Sequence, residues 1–313
     1  MTTSPSLTVN STHSHASPLI SIIVAVYNNA ATLQRCIDSV ASQSYPHKEL
    51  VIIDGGSTDG TVEIIKQNSD KIAFWVSEPD KGIYNAFNKG IDRAKGEWIY
   101  FLGSDDYLWD AQVMGLVAEN LIDNHSDDVK LIYGKVTLIS PRGDILEVLN
   151  KPWDEIKNVF FLKGSPINHQ GVFHHYSLFK IYGKFDESFS IAGDYDLMIR
   201  VLKNSIPVFL GNTIIAARQV GGISARPLSR LTSIKEDHKA RIKSNIFQSK
   251  SYNFSTLISY ALQTIIWNYA KALITFVLLK VDIRLATYIA DRYRIITGRD
   301  PTWTKSYYEY EGR

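Results

Sequence analysis

LISIIVAVYNNAATLQRCIDSVASQSYPHKELVIIDGGSTDG, residues 19–60, decides the fold. LISIIVAVY (19–27) is a nearly continuous apolar run, as a strand covered on both faces requires. Leu33, Ile37, Val40 and Ala41 then recur at helical spacing, and Tyr45-Pro46 closes that helix. ELVIID (49–54) reads as a second buried strand, followed by the loop GGSTDG and a helix over Thr61–Gln67. The rhythm continues outward. KIAFWVSE (71–78) reads as a strand, residues 83–94 as a helix ended by Gly96, and EWIYFLG (97–103) as a strand. Strand and helix alternating in this way predict right-handed βαβ units, and hence an α/β fold on a mostly parallel sheet.

The second half is less regular. KLIYGKVTLIS (130–140) and DILEVL (144–149) flank Pro141-Arg142-Gly143 and predict a hairpin. Strands are expected over 167–173 and 206–217, and helices over 176–182 and 193–204. These read as strands added to the same sheet plus a covering lobe. Beyond Gly222 the composition shifts: residues 226–250 hold seven Lys or Arg against two acids. From Phe254 to Val277 apolar residues recur at helical spacing, and residues 251–270 carry no charge. That pattern fits a helix lying on an anionic membrane surface, or helices packed on the main domain or in a homodimer contact. Polar residues interrupt it too often for a membrane-spanning helix.

Composition sets the outer bounds. Of 313 residues, 45% are hydrophobic and 21% charged, which is globular rather than disordered. The 34 Lys plus Arg against 32 Asp plus Glu leave +2, so overall charge asks for no nucleic acid. A single cysteine, Cys36, excludes an intramolecular disulfide and makes a reducing, cytoplasmic compartment the natural expectation. The Ser/Thr-rich residues 1–17 lack the charged and apolar regions of a secretory signal and read as a disordered tail.

Ligands of open parallel sheets bind beyond the carboxyl ends of the strands. Here the first strand delivers Tyr27-Asn28-Asn29 and the second delivers Asp54 and Gly55–Gly60. The third delivers Glu78-Pro79-Asp80-Lys81-Gly82, and the fourth Gly103-Ser104-Asp105-Asp106. Together these tips describe a nucleotide pocket that needs a metal. Adjacent carboxylates such as Asp105 and Asp106 repel unless a cation offsets them, and a hard Mg2+ or Mn2+ ion shares such ligands with substrate phosphates. The alternative is an N-cap for a helix around Leu108–Leu121. Gly55–Gly60 matches neither the dinucleotide fingerprint nor the P-loop, which disfavours NAD enzymes and P-loop kinases. Asp54 is the candidate for ribose or base recognition, and Asp59 reads as structural. Asp194 and Asp196 open a helix, where one of them could serve as a general base. His169 could line the acceptor side or be a structural histidine; in a strand, His169 and His174 would face opposite sides.

PLISIIVAVYNN, VIIDGGSTDGT, SEPDKGIYNAFNKGI, GEWIYFLGSDD and AGDYDLMIR, in this order, closely resemble the family 2 glycosyltransferases. The resemblance covers about residues 18–224, which it identifies as the catalytic domain, with residues 225–313 as a basic and amphipathic helical extension. It implies a GT-A-type αβα sandwich and inverting transfer of a sugar from a UDP, GDP or TDP sugar to an acceptor hydroxyl. It also implies that Tyr27 and Asp54 contact base and ribose, with Asp80 and Lys81 in the same nucleotide-sugar site. Asp105 would contact ribose or sugar, Asp106 would hold the metal, and Asp194 would deprotonate the acceptor, with Asp196 in reserve. Relatives of this kind work in polysaccharide or lipopolysaccharide assembly, so a glycan or lipid-linked acceptor and a place at the cytoplasmic membrane face are expected. Three positions depart from the family pattern: Gly55, Gly103 and Gly193 stand where acids are common. The processive Q-x-x-R-W motif is absent near Gln219, which favours single addition. The rival expectations are a sugar nucleotidyltransferase and a non-catalytic nucleotide-sugar binder.

Overall fold

The computed structural model describes residues 17–123, 128–140, 143–220 and 227–246. The N-terminal tail and the amphipathic segment after Ser251 lie outside these residues. The chain opens with β1 (Ile20–Val26), α1 (Ala30–Ala41), β2 (Lys48–Asp54), α2 (Thr61–Gln67), β3 (Phe74–Ser77), α3 (Ile83–Arg93) and β4 (Trp98–Gly103). These four strands pair in parallel in the order β3-β2-β1-β4.

Burial on both faces explains the unbroken apolar runs. Ile20, Ile22, Val24 and Val26 of β1 pack with Leu33, Cys36, Ile37 and Val40 of α1 on one face. Ile23 faces the other way, against Phe87 and Ile91 of α3. Cys36 is fully buried, and its Sγ donates to the Gly103 carbonyl at the tip of β4 (3.5 Å).

The second half extends the sheet with mixed polarity. Here follow β5 (Tyr107–Leu108), α4 (Val113–Asp123), β6 (Leu131–Ile139), β7 (Ile145–Leu149), α5 (Trp153–Lys163), β8 (Val172–His175), α6 (Ser177–Tyr182), α7 (Gly193–Leu202), β9 (Val208–Gln219) and α8 (Pro227–Lys243). β8 runs antiparallel between β4 and β6, and β6 pairs in parallel with β9. The hairpin expected at 130–149 is β6–β7. The strand expected at 167–173 is instead a 3-10 turn, His169–Gly171, leading into β8. Among the described residues, no helix is long and apolar enough to cross a membrane.

α8 carries much of the basic stretch. Lys239 donates to Ser188, Lys243 pairs with Asp186 and Asp196, and Arg241 is buried. Lys239 and Lys243 make these contacts while remaining exposed, and Arg241 lies in the interior.

Candidate active site

Side chains lace the four strand tips into one rim. Asn29 donates to the Ser104 hydroxyl (2.8 Å), tying the tip of β1 to that of β4. The Asn28 and Ser57 loops cross-bond through Asn28 N–H to Ser57 Oγ (2.7 Å) and Thr58 N–H to Asn28 Oδ1 (2.8 Å). Asp59 accepts from Ala30 N–H (3.0 Å) and Thr61 N–H (3.1 Å), so it fastens two helix starts and is structural. Tyr27, 65% exposed, stands on this rim with its ring free to stack.

Asp54 is fully buried beneath the rim. It accepts from the N–H groups of Gly56 (3.1 Å) and Ser57 (2.9 Å) and from the hydroxyls of Ser57 and Ser77 (2.6 Å for Ser77). Its carboxylate therefore shapes the loop from below, and its full burial keeps it from a direct ligand contact unless that loop moves. Gly55 has a steric explanation: a Cβ there would lie 2.7 Å from Asp80 Oδ2 and 3.3 Å from the Tyr27 ring. The acid absent at 55 is thus replaced in space by the Asp80 carboxylate, which is steadied by Gly82 N–H (2.8 Å). Lys81 is exposed beside it at the head of α3.

Asp105 and Asp106 do not cap a helix, because β5 intervenes and α4 begins only at Val113. They gather over Gly103 instead: a Cβ at 103 would meet Asp106 Oδ2 at 2.6 Å and Asp105 Oδ1 at 3.0 Å. A larger residue at 103 would displace both carboxylates. Asp106 is buried and accepts from Gln219 N–H (3.0 Å) and the Gln170 amide (3.1 Å). Burial, reinforced by the Asp105 charge, pushes its carboxyl up to about 7. Arg35 of α1 donates to the Asp105 carbonyl (3.0 Å) and covers the Tyr107 ring. Two adjoining carboxylates under such strain form an all-oxygen donor set that fits a divalent cation sharing its shell with phosphates. Among the described residues there is no cluster of three or more His, Cys, Asp or Glu, so the rest of that shell would have to come from substrate and water.

The two acids of α7 separate cleanly. Asp196 is fully buried and paired with Arg200 (2.9 Å) and Lys243 (3.2 Å). Asp194 is half-buried, accepts from Tyr195 N–H (2.8 Å) and lies 3.3 Å from the Tyr84 hydroxyl. Gly193 is required by that tyrosine: a Cβ there would come within 2.7–2.9 Å of the Tyr84 ring.

His169 joins the two acidic places. Its neighbour Gln170 holds Asp106, and its own ring feels the Asp194 charge, although burial keeps it below the usual imidazole range. The expectation that His169 and His174 point apart is corrected, because His169 sits in the 3-10 turn. The two rings are 5.1 Å apart, packed around Phe101 and Phe185. Gln170, Gln219 and Tyr84 escaped the sequence reading. Tyr84 alone left a signal, in the SEPDKGIYN string.

Known proteins resemble this chain in sequence and in fold. The sequence profile of Glycosyl transferase family 2 matches residues 21–173. A PGL/p-HBAD biosynthesis glycosyltransferase of Mycobacterium bovis is 32% identical over 217 residues, covering 67% of this chain and 80% of that protein. Among solved structures, the mannosyltransferase PcManGT from Pyrobaculum calidifontis, in complex with GDP-Man and Mn2+, superposes with a TM-score of 0.58 at 16% identity. That match covers 93% of this chain and 83% of the other. TarS 1-349 of S. aureus, in complex with UDP-GlcNAc, gives 0.54 at 19% identity over 71% of this chain and 66% of the other. Both structural matches show a shared fold.

Proposed function

Because the chain belongs to glycosyl transferase family 2 and is a glycosyltransferase, we propose that it transfers a sugar with inversion from a UDP, GDP or TDP sugar to an acceptor hydroxyl. The observation that carries this reading is the division of labour among its acids: Asp105 and Asp106 gather over Gly103, and Asp194 stays accessible while Asp196 is locked away. Tyr27, Asp80 and Lys81 receive the nucleotide-sugar, with Tyr27 under the base. Asp54 holds the loop that contacts the ribose. Asp194 takes the proton from the acceptor hydroxyl, whose oxygen bonds to the anomeric carbon as the bond to the diphosphate breaks. A Mg2+ or Mn2+ ion, held through Asp106 with Asp105 beside it, supplies positive charge for the departing diphosphate when bound. Gln170 and Gln219 keep the Asp106 carboxylate in place.

The acceptor is a glycan or a lipid-linked glycan in cell-surface polysaccharide or glycolipid assembly, a setting supported by the relative named for PGL/p-HBAD biosynthesis. The work is done in the cytoplasm, with residues 251–270, which lack charge, as the contact to the membrane face or to a second copy. The glycines at 55 and 193, where the family often has acids, do not by themselves argue for a non-catalytic binder. Gly193 is needed by the buried Tyr84 ring, and the Asp80 carboxylate occupies the space beside Gly55.

The test is a panel of UDP-glucose, UDP-GlcNAc, GDP-mannose and TDP-glucose with Mn2+. Release of nucleoside diphosphate, abolished by Asp106→Ala and by Asp194→Asn, supports the proposal. Pyrophosphate release, or turnover untouched by both substitutions, overturns it.

A further inference from the structure

We propose that α8 sets the position of Asp194 through Glu236, which makes Glu236 a positioning residue of the transfer reaction. This rests on the reading of Asp194 as the general base. Glu236 is 91% shielded from solvent, and its two oxygens take three successive backbone N–H groups: Ser190 (2.8 Å), Ile191 (2.8 Å) and Ala192 (2.9 Å). These residues run directly into the first turn of α7, which carries Asp194. A buried carboxylate finds its compensation there in charge-assisted bonds and in the positive end of the helix.

The opposite side of the same segment is gripped by α3. The Tyr84 hydroxyl donates to the Ile191 carbonyl and reaches Asp194 Oδ1. Its ring stacks on Phe185 and fills the space over Gly193. The peptide groups leading to Asp194 are therefore clamped by a carboxylate on their N–H side and a phenol on their carbonyl side. Lys239, over the Phe189 ring (4.2 Å), and Lys243, on Asp186 (2.8 Å), fasten the residues further upstream to the same helix. A shift of the segment carries the base with it, and a displacement of about 1 Å at a reacting group costs on the order of 10²-fold in rate.

The experiment uses the full chain with Mn2+ and whichever of UDP-glucose, UDP-GlcNAc or GDP-mannose it turns over with water as acceptor. Glu236→Gln removes the charge and turns an amide N–H2 toward at least one of the clamped N–H groups. It is expected to lower kcat by about 10²-fold, with donor KM and nucleoside diphosphate binding unchanged. Tyr84→Phe keeps the ring and its packing, so it reports even where Glu236→Gln fails to fold; about a tenfold loss of kcat is expected. Adding Glu236→Gln to Asp194→Asn is expected to cost nothing further, a non-additivity that mere destabilisation would not produce. Wild-type kcat in folded Glu236→Gln and Tyr84→Phe overturns the inference, and so does an equal loss of nucleotide binding. If Asp194→Asn itself keeps wild-type turnover, the general-base reading falls first, and this result separates the two failures.

Discussion

The donor half, from β1 to β4, and the segment from Asp186 through α8 are held together in different ways. The first is fixed by neighbours: each strand tip bonds to the next, and the apolar faces of β1 meet α1 and α3 directly. The second is fixed by charges, most of them supplied by one helix, with Glu236 of α8 clamping residues 190–192 and Lys243 of α8 closing on Asp186 and Asp196. The residues proposed to receive the nucleotide thus stand on a frame of strands bonded tip to tip. The group read as the base depends on a helix added afterwards.

The largest effect that could break this contrast is Arg200→Met. It leaves Asp196 buried with Lys243 as its remaining partner, and a loss of about 3–5 kcal/mol is expected by denaturant unfolding. A cost below 1 kcal/mol would deny the charge-based character of this region. Next comes Gly193→Ala, which pushes a methyl group into the Tyr84 ring. About 1–3 kcal/mol is expected, with kcat falling further than the folded fraction does. On the donor side, Ser77→Ala removes one of four hydrogen bonds to the Asp54 carboxylate and is expected to cost about 1 kcal/mol. Nucleotide affinity should drop with it.

The smallest test uses pH. Burial pushes the Asp237 carboxyl up to about 7; the charges of Asp194 and Glu236 add to that, and Arg241 opposes it. Its proton is bound in the native state at pH values where the unfolded chain has already lost it. This contribution to stability is therefore full below the ordinary carboxylate range and is lost as pH rises toward 7. Asp237→Asn is expected to flatten the fall in Tm between about pH 4 and 7. Parallel Tm profiles for the two proteins would refute it.

The same contrast explains what the sequence revealed. β1, β2 and β4 announce themselves because strands covered on both faces must be apolar throughout, and their tips follow at once in the chain. The crowding at Asp105 and Asp106 was visible as two adjacent acids. Their partners were not, because Gln219 lies 113 positions away from Asp106. His169 was misplaced because INHQG has strand-like neighbours, while the 3-10 turn is set by packing against Phe101 and Phe185. The choice between Asp194 and Asp196 needed three dimensions. Both stand in one turn, and only the distant Lys243, with Arg200, marks which one is buried.

The lone thiol has a practical consequence. Cys36 lies at the back of the β4 tip, and burial raises it far from the thiolate form that alkylating reagents attack. Its modification rate is then a built-in clock for opening of the nucleotide frame, readable in the native enzyme without adding any label. A bound nucleotide should slow that clock.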